Sequence, residues 1–342
     1  MRNAVTLIIL SIFLVGSVAS WDEVHNKSWD DQLGVASVLR ELGDSVVISK
    51  LPDFTVKGAS AEKGKSIIEM GFAEKPGGGK SGKQSSHFVC TSCHNTSQED
   101  PDLTVNDPLA RLKYTADKGM PFLQATTLYG AVNRETYYNG DYYLKYGELV
   151  EPARNDIRGA IQLCATECAQ GRALDDWEME SILLYLWDID LKLVDLNLNE
   201  EEKEMVVDHL NNSNDHQEAI DLIKSRYLLK SDATFVYPPD DRKQGYDHAG
   251  NAENGKLIYE NSCLHCHYKQ KYSFFHLDSR KLSFKHLRAK AGSYSRQSIY
   301  QVIRWGVPTK SGKSSYMPQY TREKLTDEMV EDLRAYIEQQ AQ

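Results

Sequence analysis

Apolar positions fall at three- and four-residue spacing in several stretches of the chain, the signature of helices that bury one face. Val35, Val38, Leu39 and Leu42 form one stripe; Met179, Ile182, Leu183 and Leu186 form a second; Val330, Leu333 and Ile337 form a third. Polar residues mark where helices begin. Asp175 with Glu178 three positions on reads as a capping box, and Leu325-Thr326-Asp327-Glu328 opens the counterpart of that helix. Asn199-Glu200-Glu201-Glu202 and Asp215-His216-Gln217-Glu218 look like the starts of two polar helices. The pattern predicts an all-α protein.

The second and third stripes belong to an internal repeat. Ala61-Glu62-Lys63-Gly64-Lys65-Ser66-Ile67 matches Ala252-Glu253-Asn254-Gly255-Lys256-Leu257-Ile258 at an offset of 191, and each copy follows a helix-capping residue, Ser60 or Asn251. The closing helices stand at an offset of 151, with Tyr185 and Tyr336 in matching places. The repeat predicts two tandem domains, at 57–195 and 248–342, joined by a partly helical linker at 196–247. Tyr237-Pro238-Pro239 in that linker reads as extended, since proline biases its predecessor away from helix. An extension at 21–56 carries no recognisable chemistry. Residues 1–20 read as a cleaved signal peptide, with Arg2, an apolar run from Val5 to Val15 and small residues around Ala19. That run is shorter than the ~20 residues a spanning helix needs, so the mature chain is expected to have no integral membrane segment and to be periplasmic or otherwise exported, in a bacterium.

The chemistry lies between the repeated helices. Cys90-Thr91-Ser92-Cys93-His94 and Cys263-Leu264-His265-Cys266-His267 are two C-x-x-C-H motifs, the attachment signature of c-type haem. In each, two cysteines (Cys90 and Cys93, Cys263 and Cys266) supply thioether links and the histidine (His94, His267) binds iron from one side. The expected cofactors are two covalently bound haem c groups. The motifs stand at an offset of 173, so the first copy carries 18 extra residues before its haem. These fall within residues 71–86, where Gly77-Gly78-Gly79 and Gly82 mark a flexible loop. Leading helix, C-x-x-C-H and closing helix together resemble the class I cytochrome c fold twice, over 57–190 and 248–340.

In that fold the sixth ligand comes from between the motif and the closing helix. In the second copy Tyr316-Met317-Pro318 offers Met317, 50 residues after His267 and eight before Leu325. A thioether ligand raises the potential and suits an electron carrier. A core methionine, or His276 or His286 as ligand, are the other readings. Arg304-Trp305-Gly306 offers a tryptophan either to the haem edge or to the core. In the first copy, Met317 projects onto Thr166, which is bracketed by Cys164 and Cys168, the two cysteines not used for attachment. If 157–169 is helical, Ile157, Ile161, Cys164 and Cys168 share its inward face, and a thiolate on iron would lower the potential. Inert core thiols, a local disulfide, or Met120 as ligand remain alternatives.

The run Cys164-Ala165-Thr166-Glu167-Cys168-Ala169-Gln170-Gly171-Arg172, followed by Glu178-Met179, resembles the corresponding stretch of thiosulfate dehydrogenases, and SoxA-type sulfur-oxidising cytochromes also use a cysteine ligand. The resemblance implies that Cys164 is the axial, and catalytic, ligand of the first haem. Here Cys168 and Ala169 replace the family's Ser-Met pair, and the His94–Cys164 separation is long. The extra length includes Tyr137, Tyr138, Tyr142, Tyr143 and Tyr146, which form either a lid over the first haem or a tyrosine-packed structural insertion.

Composition narrows the function. With 40 basic and 49 acidic residues and no long basic run, nucleic-acid binding is not expected, and there is room for a basic redox partner. The sequence therefore describes an exported dihaem cytochrome passing electrons from a low-potential, Cys-ligated first haem to a His/Met second haem, with exported redox proteins as partners. The enzyme alternative is an oxidoreductase acting at the first haem on thiosulfate or another sulfur anion, with Arg134, Arg154, Arg158 or Arg172 screening the charge. A dihaem peroxidase and a respiratory-complex subunit are further alternatives.

Overall fold

The computed structural model describes residues 28–307 and 317–342. The signal segment and Tyr316 lie outside them. Among the described residues the protein is all-α, with isolated bridges and no strand.

Helix α1 (Val35–Glu41) buries Val35, Val38 and Leu39, the apolar stripe of the extension. Helix α2 (Ala61–Met70) is capped by Ser60, whose hydroxyl accepts from Lys63 N–H, and ends at Gly71 with a positive φ. Helix α3 (Pro108–Asp117) starts on an Asp107 cap. Helix α4 (Ile157–Leu163) runs directly into a π-helical turn, Cys164–Cys168. Helix α5 (Asp176–Asp188) is the first closing helix, and the Glu178 carboxylate accepts from Asp175 N–H as the capping box requires. Helices α6 (Glu200–Asn212) and α7 (Gln217–Lys224) follow in the linker. After the linker come α8 (Ala252–Ile258), α9 (Lys281–Ala291), α10 (Ile299–Trp305) and α11 (Asp327–Gln340), and several shorter helical segments stand among these elements.

The repeated helices pair in the same way. A Cβ on Gly64 of α2 would stand 1.9 Å from the Ser181 carbonyl oxygen of α5, and one on Gly255 of α8 would stand 1.9 Å from that of Asp332 in α11. Each pair packs backbone to backbone through a glycine, which no larger residue permits without displacing a helix. Around α2 and α5, a core gathers α1 and the inward residues Val206, Ala219, Ile220 and Ile223 of α6 and α7. The linker helices thus bury apolar surface as part of that core. Around α8 and α11, a second core gathers α9 and α10, and also takes in Leu112 and Phe122 from the earlier part of the chain.

That crossing brings a buried charge cluster with it. Arg111 on α3 is 1 % exposed, stacks 4.2 Å from the Phe122 ring centroid, and donates to the carbonyls of Leu123 and Lys324. It pairs with the fully buried Glu99 at 3.3 Å, and Lys324 reaches Glu99 at 3.6 Å. Burial pushes the Glu99 carboxyl up, but Arg111, Lys324 and hydrogen bonds from Asn95 and the Thr127 amide outweigh it and hold the group below the usual range. Periodicity alone does not reveal this cluster, because its members, Glu99, Arg111 and Lys324, are distant in sequence.

Candidate haem centres

The second centre is the simpler. A π-helical turn, Tyr259–Cys263, leads into the short helix Leu264–His267, so Cys263, Cys266 and His267 project from one continuous helical run. The His267 ring is anchored by Nδ1, which stands 2.9 Å from the Phe275 carbonyl oxygen. That hydrogen bond fixes the proton on Nδ1 and leaves Nε2 as a lone-pair donor, the arrangement a metal-binding imidazole requires. Burial lowers the His267 pKa, favouring the neutral ring, and pushes the Cys266 thiol up to about 11.

These residues open onto a cavity of about 750 Å³, lined mainly by apolar side chains and including Cys263, Cys266, His267 and Met317. Its size suits a large organic cofactor. Met317 is held there by a two-bond antiparallel bridge, Val307 N–H to Met317 O at 2.8 Å and the reciprocal bond at 3.3 Å. Gly306, with φ +67°, makes room for the bridge, since a Cβ there would stand 2.4 Å from the Met317 carbonyl oxygen. His276 lies outside this arrangement, exposed and 3.4 Å from Asp278. Trp305 also faces away; it is half exposed and packs edge-on to Tyr237 of the linker. Its neighbour Arg304 is buried and bonded to the Leu325 carbonyl and to Asp327.

At the first centre, His94 Nδ1 stands 2.6 Å from the Thr126 carbonyl oxygen, the same anchoring as at His267. Burial again lowers the imidazole pKa, with the Thr126 bond opposing it, and pushes the Cys90 thiol up to about 11. Cys164 and Cys168 come together on the π-turn, where Ala169 N–H bonds to the Cys164 carbonyl at 2.8 Å. Cys164 hydrogen-bonds to Cys168 and lies close enough to Cys90 and Cys93 to feel their charge. Tyr146 and Tyr138 place their hydroxyls 3.1 and 3.5 Å from Cys168 Sγ. Hydrogen bonding from Cys164 and the two tyrosines lowers the Cys168 pKa against the effect of burial, while donating to Cys168, together with burial, raises that of Cys164. Tyr142 stacks on Tyr146, so the tyrosines form one aromatic bundle beside the thiols.

Sequence reasoning missed what holds the thiol turn. Gln84 Nε2 donates to the Ala165 carbonyl at 2.8 Å, Ser85 Oγ donates to that of Ala169 at 2.6 Å, and Arg172 N–H bonds to the Gln84 carbonyl at 2.8 Å. The glycine-rich insertion at 71–86 is thus tied at its far arm, where Ser81, Gln84 and Ser85 are buried. Gly171 is required where the strands of chain meet, because a Cβ would stand 2.1 Å from the Gln84 carbonyl oxygen. A run of glycines ending in Gln and Ser carries no signal of such a partner. Of the arginines considered for anion screening, Arg158 is engaged by Glu180 at 2.7 Å and Arg172 by Glu178 at 2.6 Å. Arg134 is partly buried and donates to the Tyr129 carbonyl at 3.3 Å, and desolvation lowers its pKa. Met120 closes α3 on the Thr115 carbonyl, in the segment whose Phe122 N–H bonds to the Asn261 carbonyl beside the second motif.

The two centres share a wall. Cys93 and Ser92 of the first motif, with Phe88 just before it and Gln124, line the same cavity as Cys263, Cys266 and Met317.

Residues 250–337 match the family described as cytochrome C oxidase, cbb3-type, subunit III. That stretch is similar to a cytochrome c domain. The match supports a c-type cytochrome with covalently bound haem and haem-based electron transfer. No curated protein and no solved structure matches the chain. Cytochrome c domains are typically exported, and among the described residues no helix is long and apolar enough to cross a membrane.

Proposed function

We propose that the protein is an exported dihaem electron carrier built from two tandem cytochrome c domains, in which electrons enter at a thiolate-ligated first haem and leave through a His267/Met317 second haem. The observation that carries this reading is the shared wall, because Cys93, one attachment residue of the first motif, lines the cavity of the second. When bound, haem iron supplies one-electron redox chemistry. Cys90 and Cys93 would fix one group and Cys263 and Cys266 the other, with His94 and His267 presenting Nε2 to the metals. Met317 would complete the second site and Cys164 the first. Thioether ligation favours the reduced metal and thiolate ligation the oxidised one, so Cys164 and Met317 as ligands would favour electron flow from the first site to the second.

A second reading is favoured by one feature of the first centre. Cys164 and Cys168 are only half-buried, and the Lys145 ammonium lies near enough to influence Cys168. A cation near these two thiols would suit oxidation of thiosulfate or another sulfur anion, with Cys164 as the reactive ligand.

Haem quantification on the purified protein tests the first reading. Two covalent haems per chain are expected, falling to one in Cys90→Ala/Cys93→Ala and to one in Cys263→Ala/Cys266→Ala. A single haem in the parent protein would sink it. Electron release to an artificial acceptor on adding thiosulfate would establish the second reading, and inactivity across a panel of sulfur anions would leave the carrier alone.

A further inference from the structure

We propose that the face around the second cavity's mouth is the docking surface for an acidic electron-carrier protein, a proposal that rests on the reading of the second centre as the exit. The charge distribution points there. The chain as a whole carries a formal net charge of −9, yet residues 261–320 hold eleven lysines and arginines against one carboxylate, Asp278. That aspartate is already paired with Arg280 and His276.

Arg304 is buried and paired with Asp327, but several of the other described cations lie around the cavity. Arg296 lines it directly, beside Phe274 and Phe275. Lys271 sits 4.8 Å from the ring centroid of Tyr272, another lining residue. Helix α9 turns Phe284 and Leu287 inward, with Leu287 in the cavity wall, and leaves Lys281, Lys285 and Arg288 exposed. The Phe275 ring lies 5.6 Å from that of His286, which joins the mouth loop to α9. At the centre of this field Phe274 is 77 % exposed and Phe275 40 % exposed. An apolar centre within a charged rim is the anatomy of a protein docking site, and a rim of one sign selects a partner of the other and steers its approach. The occupant it fits is thus a small acidic redox protein, in contrast to the basic partner that the overall charge alone suggests.

The test uses the full holoprotein, reduced, with its Soret spectrum checked first for both haems; a missing second haem would defeat the exit reading before docking is addressed. Oxidation is then followed with an acidic plastocyanin and, separately, a basic cytochrome c as acceptor, at rising ionic strength. The acidic acceptor is expected to react faster, and to slow about tenfold between low and high salt. Lys281→Glu/Lys285→Glu/Arg288→Glu should abolish that preference, and the milder Gln triple should weaken it if the Glu triple fails to fold. A preference for the basic acceptor, unaltered in both triples, would overturn the proposal. So would binding to anionic phosphatidylglycerol vesicles with no charge preference between the two proteins.

Discussion

The two centres begin alike and diverge at the segment before the closing helix. Both hang between a leading and a closing helix that touch through a glycine, and both anchor their histidine by Nδ1 to a carbonyl. In the second, the segment is extended, and a bridge to Val307 holds Met317 in a roomy apolar cavity. In the first, the equivalent segment is a π-turn carrying two thiols under a tyrosine bundle. A π-turn leaves carbonyls without their helical partners. Gln84 adds a donor to the Ala165 carbonyl, which also accepts from Gly171 N–H at 2.9 Å, and Ser85 donates to that of Ala169, so the insertion of the first copy braces the turn. The difference teaches that the C-x-x-C-H motif and its anchored histidine are built alike in both centres, while the pre-closing segment and whatever braces it decide which side chains, thioether or thiols, are presented there.

The sharpest break in that comparison is exchange of the ligand. Oxidised protein is expected to show a low-spin thiolate EPR signal that vanishes in Cys164→Ala and persists in Met120→Ala and Met317→Ala. Survival of the signal in Cys164→Ala, with loss in Cys168→Ala, would transfer the role to the sulfur that the tyrosines address.

Next in size is the joint between the regions. Glu99→Ala leaves Arg111 and Lys324 buried without their carboxylate, and should cost about 3–5 kcal/mol in denaturant unfolding. Removing the exposed pair Lys203–Glu200 should leave the unfolding midpoint nearly unchanged. Equal losses from the two would show that the Glu99 cluster is not a structural joint.

Much of the fold was legible. The capped leading helices, the closing stripes and both haem motifs carry strong local signals, and the structure forms those helices where the pattern expects them. What stayed hidden depends on contacts distant in sequence. Gln84 meets Ala165 across 81 residues and Arg111 meets Lys324 across 213, and no periodicity encodes either. Trp305 was ambiguous for the same reason, since whether it turns to the cavity or to Tyr237 is settled by where the linker passes. The first site's thiols could be found by projecting Met317 through the repeat, but their order of acidity could not, because Tyr138 and Tyr146 come from an insertion that the repeat does not contain.

A smaller effect follows from the same joint. Burial, reinforced by Arg111, lowers the Lys324 pKa from 10.5 to about 8. Between those values the unfolded chain binds more protons than the folded one, so this group makes stability rise with pH from about 8 to about 10.5, by at most about 1.4 kcal/mol per unit. Burial lowers Lys50 to about 8 as well, so Lys324→Met should reduce the slope without abolishing it. An unchanged slope in unfolding midpoints across that window would show that Lys324 stays protonated through its contact with Glu99.

The smallest effect isolates the tyrosines. Tyr146 and Tyr138 both address Cys168, at 3.1 and 3.5 Å, whereas Tyr142 packs between them by ring contacts alone, at 6.1 and 5.3 Å between centroids. If the bundle serves the sulfur, Tyr146→Phe should cost about 1 kcal/mol and Tyr138→Phe less, because the longer bond is the weaker one. If it serves only packing, the two variants should be equally mild, since each keeps its ring. In the second centre no tyrosine hydroxyl among the described bonds reaches a cysteine sulfur; Tyr320 instead bonds to Ser262. Tyr320→Phe should therefore leave the first site's EPR spectrum untouched, while Tyr146→Phe shifts it without loss of the thiolate signal. A spectrum indifferent to Tyr146→Phe would reduce the bundle to a wall.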